Sequence, residues 1–241
     1  MPRQFVYVIG GSSAILPQAD QDNNILCIYD QLKGNYNWSD EAIAGACGCF
    51  HEESAYNPGI YETSHGGNLN NLPYFPGGMG LAQWTDYPAY TSQYPNPLPW
   101  SADQENQDWW DGIFQCWLMT KADDATYTSM GYGQGPRWGW MAGSGSHTYP
   151  YISFSDYINN TQNMTIEQAT LYWFYDFEWH WDEVPPEVSI TARVQWAQYS
   201  YDLFHGLSPD PPGPGPGPGP SPTPSTGRKM PLWMMLKRLP I

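Results

Sequence analysis

The sequence predicts a mainly α domain of the α+β class, interrupted by one long irregular excursion and followed by a linker and a short tail. Three observations predict this. Apolar residues recur at helical spacing in several segments, those segments are separated by stretches rich in glycine, proline and aromatic residues, and the composition changes abruptly after residue 207. The 241 residues suffice for one well-cored domain with extensions.

Residues 1–18 are expected to form an N-terminal arm. Phe5 to Ile9 is a strand-like run, and a loop rich in glycine and serine follows it. The run suits either an edge strand or a docking arm. It has neither the basic start nor the length of a signal peptide, so we expect the protein to be made in the cytoplasm, with any export left to other machinery.

Two helices are predicted early in the domain. The first runs from about Asp20 to Lys33, with Gly34 as the residue that ends it. The second follows Ser39, a good N-cap, and begins with an acidic turn. Pro58 must stop that second helix.

The later part of the chain combines an excursion with three more helices. Residues 58–99 have no helical period and are expected to form loops and a small β-hairpin, where a cleft would be built. Capping boxes predict helices that begin at Ser101 and at Thr165, the latter completed by Gln168. A last long helix is expected to have Pro186 at its first position.

Glu53 is the candidate catalytic residue near the end of the second helix. It shares a stripe with Ala46 and Cys49 and so extends an apolar face, whereas Glu52 falls on the stripe of Gly48. Burial and the negative end of the helix both disfavour ionisation, so we expect Glu53 to be protonated at neutral pH, as a general acid requires. The alternative is an ordinary solvated glutamate at a frayed helix end.

Charge and composition restrict the class of ligand. The net charge is −15, and four of the nine basic residues lie in 228–241, which leaves five for residues 1–227 against all 24 acidic ones. Nucleic acid is therefore not expected as a partner. The 13 tryptophans and 18 tyrosines favour a carbohydrate groove, with an aromatic-rich core as the alternative.

The sequence favours neither metal nor cofactor chemistry. His51-Glu52 resembles part of a His-Glu-x-x-His motif, but Ala55 stands where the second ligand would be. The cysteines lie in apolar helical patterns, which favour small buried thiols over a disulfide framework or a nucleophile. We expect no metal and no cofactor.

The C-terminal part divides into a linker and a tail after a domain that spans residues 19–207. Residues 208–227 are rich in proline and glycine and cannot pack a core, so they are expected to be a linker. Residues 228–241 are basic and apolar. They are expected to anchor the protein by contact with a membrane surface or a protein groove, the alternative being a disordered end.

The order of several motifs resembles one known family. They are Ile25–Leu32, Trp38-Ser39, Ala42–Gly45, Glu53-Ser54, Asn57-Pro58-Gly59, Tyr61-Glu62, Gly80–Thr85, Phe177-Glu178 and Tyr199–Tyr201. In this order they resemble the lysozyme domain of phage tail-tip peptidoglycan hydrolases, which has a lysozyme-like fold. The chain departs from the family at Gly48-Cys49, and at Trp179-His180 where the family tends to have Arg-Pro.

The resemblance implies hydrolysis of the β-1,4 link between N-acetylmuramic acid and N-acetylglucosamine, with Glu53 as the acid. It also implies a cleft lined by the substrate-binding residues Tyr61, Gln83, Trp84 and Thr85. The expected partners are bacterial peptidoglycan and the knob or tube proteins of a phage tail. The expected location is the virion tail tip, acting on the host cell wall.

The second carboxylate that such a hydrolase usually needs is expected to be Glu62 or Asp86, because both lie in the loops that should face Glu53. A separation of about 5 Å would predict retention and about 6.5–9.5 Å inversion. Two alternatives stay open. If neither carboxylate approaches Glu53, a lytic transglycosylase is plausible, and a tail-tip or plug protein could bind wall glycan without cutting it.

Overall fold

The structure is a computed structural model that describes residues 2–11, 13–61, 78–83, 110–123, 140, 151–178 and 187–212, with the backbone alone for 187–189. Within these ranges the chain is mainly helical, as predicted. The helices are α1 (Gln18–Tyr36), α2 (Asp40–Ser54), α3 (Gly112–Met119), α4 (Phe154–Asn159), α5 (Ile166–Tyr172), a π-helix (Trp173–Phe177) that continues α5, and α6 (Glu187–Phe204).

The first two helices begin and end for local reasons. The prediction that Gly34 ends α1 is wrong, because the helix continues to Tyr36. Asn37 ends it with a left-handed φ of 57°, donating its N–H to carbonyl oxygens of the last turn. The predicted cap of α2 is confirmed, since the Ser39 hydroxyl accepts the N–H of Ala42.

Helix α2 lies at the centre of the domain and packs most extensively against α6 and α5. Its two glycines permit this approach. A Cβ at Gly45 would lie 2.6 Å from the carbonyl carbon of Ala169 in α5, and a Cβ at Gly48 would lie 2.8 Å from the Cβ of Ala197 in α6. The face of α2 that carries Gly45 and Gly48 therefore packs directly against α5 and α6.

The end of α2 is a tight turn made of non-glycine residues. The helix ends at Ser54, four residues before Pro58, because Ala55 and Tyr56 both adopt left-handed backbone with φ of 46° and 58°. Such conformations are unfavourable for residues with a Cβ and persist only where the surroundings fix them. Here Tyr56 is fully buried, and its hydroxyl lies 3.3 Å from that of Ser200 in α6.

Among the later helices, the capping box at the start of α5 is confirmed. The Thr165 hydroxyl accepts the N–H of Gln168, and the Gln168 side chain accepts the N–H of Thr165. Helix α3 begins at Gly112 with Asp111 as its cap. Ser101 and Pro186 lie outside the described residues.

The core is aromatic. Trp38, Tyr157, Trp173 and Phe50 form a cluster of edge-on or tilted contacts, and Trp140, from the segment between α3 and α4, joins them. These rings and the buried Trp196 pack the core. For this part of the aromatic residues, the structure therefore shows the aromatic-rich core that was the alternative to a carbohydrate groove. The four cysteines are buried free thiols.

The N-terminal arm is held to the domain by hydrogen bonds to two asparagine side chains. The Asn24 and Asn57 side chains pair with the backbone of Val6 and Val8 as a neighbouring strand would, at 2.6–3.2 Å. Bridges join Gly10 to Ile60 in parallel and Tyr61 to Met79 in antiparallel sense.

Several predicted segments fall where the structure gives no description. The predicted β-hairpin falls largely in 62–77 and 84–100, and most of the linker and all of the tail fall in 213–241. In the part of the chain that is described, no helix is both long enough and apolar enough to cross a membrane.

Candidate functional site

The candidate site is built around Glu53, in the last turn of α2. Its Oε1 accepts a hydrogen bond from Nη2 of Arg193 at 2.7 Å. The Glu53 side chain is 26% exposed, whereas that of Arg193 is 7% exposed. The guanidinium also lies over the Phe174 ring, 4.9 Å from its centre. Glu53 is thus bound by a buried guanidinium while part of its side chain is exposed to solvent.

A second carboxylate, Glu178, meets the same arginine. Glu178 caps the C-terminus of the π-helix, and its Oε2 lies 3.8 Å from Nη2 of Arg193. Its side chain is 5% exposed. Burial, and then the negative charge of Glu53, raise the pKa of Glu178 well above its usual range; Arg193, the Cys49 thiol and the Trp173 indole oppose this more weakly.

The guanidinium changes the expectation for Glu53. The sequence predicts an apolar surrounding for Glu53, whereas the structure places the Arg193 guanidinium in hydrogen-bond contact with it. Arg193 was not predicted, because it lies 140 residues along the chain from Glu53. The signal available was an arginine in the apolar pattern of α6, in a domain with few basic residues.

The two adjacent glutamates differ in partner more than in exposure. The Glu52 side chain is 30% exposed, close to the 26% of Glu53. Glu52 Oε1 lies 3.1 Å from Nδ1 of His51, and this hydrogen bond lowers the pKa of Glu52 despite partial burial. His51 in turn stacks on Trp196 with ring centres 3.6 Å apart. The structure therefore distinguishes the two glutamates by their partners, Arg193 for Glu53 and His51 for Glu52.

The segment 78–83 lies against the loop that leaves α2. Gly80 donates its N–H to the Ile60 carbonyl at 3.0 Å, and the Gln115 side chain joins the N–H of Leu81 to the carbonyl of Pro58. The predicted substrate-binding residue Tyr61 is half-buried in this group of loops. The structure thus brings Tyr61 and segment 78–83 together just beyond the helix end that carries Glu53.

Gln83 has a local role in that segment. It adopts left-handed backbone with φ of 45°, and its Nε2 donates to the Gly80 carbonyl at 2.9 Å, which closes its own turn. The remaining predicted site residues, Glu62, Trp84, Thr85 and Asp86, lie outside the described residues.

Another buried acid, Asp176, lies two residues before Glu178. Burial raises its pKa from 3.8 to about 7, against a lowering contribution from a backbone hydrogen bond at Ile152. Within the described ranges, no three His, Cys, Asp or Glu side chains converge in a way that could hold a metal ion.

A mainly helical domain with a partly exposed glutamate at the end of its central helix is consistent with the lysozyme-like class. The phage tail lysozyme family matches residues 23–204, and the chain therefore belongs to that family. Membership makes it a phage lysozyme-like protein that acts on peptidoglycan and is associated with the phage tail. No curated protein matches the chain.

Proposed function

We propose that the protein hydrolyses the β-1,4 bond between N-acetylmuramic acid and N-acetylglucosamine, with Glu53 as general acid. The observation that carries this proposal is that Glu53 is held by a buried arginine and is still partly exposed. Nη2 of Arg193 donates to its Oε1 at 2.7 Å, and 26% of the Glu53 side chain is exposed to a substrate. The family membership supports peptidoglycan as that substrate.

In the proposed reaction, protonated Glu53 gives its proton to the glycosidic oxygen while the bond from that oxygen to the anomeric carbon breaks. The positive charge that develops on the sugar is relieved by a carboxylate acting as nucleophile or by a water that a base activates. Glu62 and Asp86 remain the proposed candidates for that second group. Glu178 does not suit it, since its side chain is 5% exposed.

A Glu53→Gln variant tests the proposal, with Glu52→Gln as the matched control. The two glutamates are neighbours with similar exposure, but only Glu53 contacts Arg193. We expect E53Q to abolish clearing of purified cell walls and E52Q to keep it, while circular dichroism shows both folded. Unchanged clearing by E53Q would remove Glu53 from the mechanism and favour a protein that binds glycan without cutting it.

A lytic transglycosylase is the second candidate. The observation in its favour is that Glu178 is buried, so of the two carboxylates at Arg193 only Glu53 is exposed to a sugar. In that reaction the C6 hydroxyl of the muramic acid attacks the anomeric carbon and loses its proton to a base. The bond from the anomeric carbon to the glycosidic oxygen breaks, that oxygen takes the proton of Glu53, and no water is consumed. Mass spectrometry of the products decides, because 1,6-anhydromuramic ends would overturn hydrolysis.

Anchoring in the virion is a separate proposal that rests on sequence. Residues 228–241, after the proposed linker 208–227, suit contact with a tail-knob or tail-tube protein or with a membrane surface. Deleting 228–241 should reduce incorporation into particles without changing turnover of soluble glycan fragments. Equal incorporation and equal membrane affinity would leave the tail without this role.

A further inference from the structure

Two carboxylates and one guanidinium meet where α2, α6 and the end of the π-helix come together. One nitrogen, Nη2 of Arg193, lies 2.7 Å from Glu53 Oε1 and 3.8 Å from Glu178 Oε2. Because both distances are measured to the same nitrogen, Glu53 Oε1 and Glu178 Oε2 cannot be farther apart than the sum of the two distances. The side-chain exposures of Arg193 and Glu178, 7% and 5%, place the contact inside the domain.

The charges at this contact do not balance if both acids ionise. Among the described residues, the other titratable groups that interact with Glu178 are the Cys49 thiol on α2 and the Tyr157 hydroxyl on α4. Burial raises the pKa of Cys49 and of Tyr157 well above their usual values, so both stay neutral.

Glu52, the remaining acid that acts on Arg193, has His51 as its own partner. Two ionised carboxylates would therefore leave a net negative charge around one buried guanidinium, which is unfavourable in a water-poor site. Retention of one proton by the pair removes that charge.

We propose that Glu178 is a positioning residue that shares a single proton with Glu53 across Arg193 and so sets the pH range in which Glu53 can donate. This inference rests on the proposed function, because it assigns Glu53 the role of acid. When the proton is on Glu178, Arg193 pairs with an ionised Glu53. When it is on Glu53, Arg193 pairs with an ionised Glu178 instead.

The exchange provides a route from the resting ion pair to a competent acid. Before substrate binds, the less exposed Glu178 is the more costly one to ionise, so the proton favours Glu178. A glycan strand that covers Glu53 removes its remaining water and raises the cost of ionising that carboxylate as well. The proton then shifts towards Glu53, and Arg193 compensates by pairing with Glu178.

The test is the pH profile of kcat/KM for wild type and Glu178→Gln, with Asp176→Asn as the matched control. In E178Q, Glu53 is the one carboxylate of the pair that remains beside Arg193, and there is no second carboxyl to share its proton. The alkaline limit of activity should therefore move down by about one to three pH units in E178Q. D176N removes a buried carboxyl from the same segment and should leave the limit where it is.

A uniform loss of rate in E178Q, with the alkaline limit at its wild-type pH, would show a merely structural role and overturn the proposal. Should E178Q fail to fold, carbon-13 NMR of the wild-type glutamate carboxyls gives the same decision. Two-step titration of both Glu53 and Glu178 is expected, and independent single steps would overturn the sharing. Activity of E53Q would instead refute the proposed function, so the two failures are distinguishable.

Discussion

Replacing Gly48 by alanine tests whether the close approach of α2 and α6 holds the site together. The new Cβ would lie 2.8 Å from the Cβ of Ala197, 3.0 Å from its nitrogen, and against the carbonyl oxygen of Arg193. Because two of these three atoms are backbone, the helices have to separate. Alanine gains up to about 1 kcal/mol over glycine in a helix interior, whereas overpacking costs about 1–3 kcal/mol. We expect the free energy of unfolding to fall by about 1–2 kcal/mol.

The same substitution at Gly34 is the matched control. Gly34 lies in the last turns of α1, and a Cβ there would meet nothing within 4 Å. G34A should therefore raise the free energy of unfolding by up to about 1 kcal/mol. Urea unfolding followed by circular dichroism measures both variants. If G48A were as stable as G34A, the proposed steric role of Gly48 would be refuted. G48A should also lose more wall-clearing activity than G34A, because the displaced backbone carries Arg193.

Three further predictions concern buried groups. Because the pKa of Asp176 is about 7 in the fold against an ordinary 3.8, the native state binds more protons between these values, and wild-type stability should fall as pH rises from about 4 to 7. D176N should lack this fall, which is on the order of 2–4 kcal/mol. N57A removes hydrogen bonds to Val8, Ala14 and Gly59 and should cost about 2–4 kcal/mol, with faster amide exchange at Val8. Finally, burial raises the pKa of all four thiols, to about 11 for Cys27, so a thiol reagent at pH 8 should react after unfolding and not before.

The sequence predicts those features of the site that depend on neighbours along the chain. The Ser39 cap and the Thr165 capping box each need residues no more than three positions apart, and both form as predicted. The position of Glu53 at the end of α2 follows from the same local pattern. The end of α1 was misjudged because two left-handed candidates stand close together, and Asn37, rather than Gly34, ends the helix.

What the sequence could not supply is the partner of Glu53. Arg193 reaches Glu53 only because α2 and α6 pack closely, and no local pattern specifies which helices meet. Gly45 and Gly48, three residues apart on α2, were a usable signal, since small residues at that spacing permit close helix contact. Glu178 was present in the motif of the family resemblance, but its position beside Arg193 depends on the π-helix, which the capping box and the apolar period do not predict.

The position of the Glu53 side chain is best explained by its contact with Arg193 of α6, and not by burial of the glutamate itself. Glu52 and Glu53 are almost equally exposed, yet only Glu53 points to the helix contact with Arg193. The left-handed Ala55 and Tyr56 end α2 immediately after these residues, and the Tyr56 hydroxyl lies beside Ser200 on the same α6. The contacts of Arg193 with Glu53, of Ser200 with Tyr56 and of Ala197 with Gly48 thus all belong to the interface between α2 or its end and α6. A change that separates α2 from α6 should therefore impair the acid before it unfolds the domain.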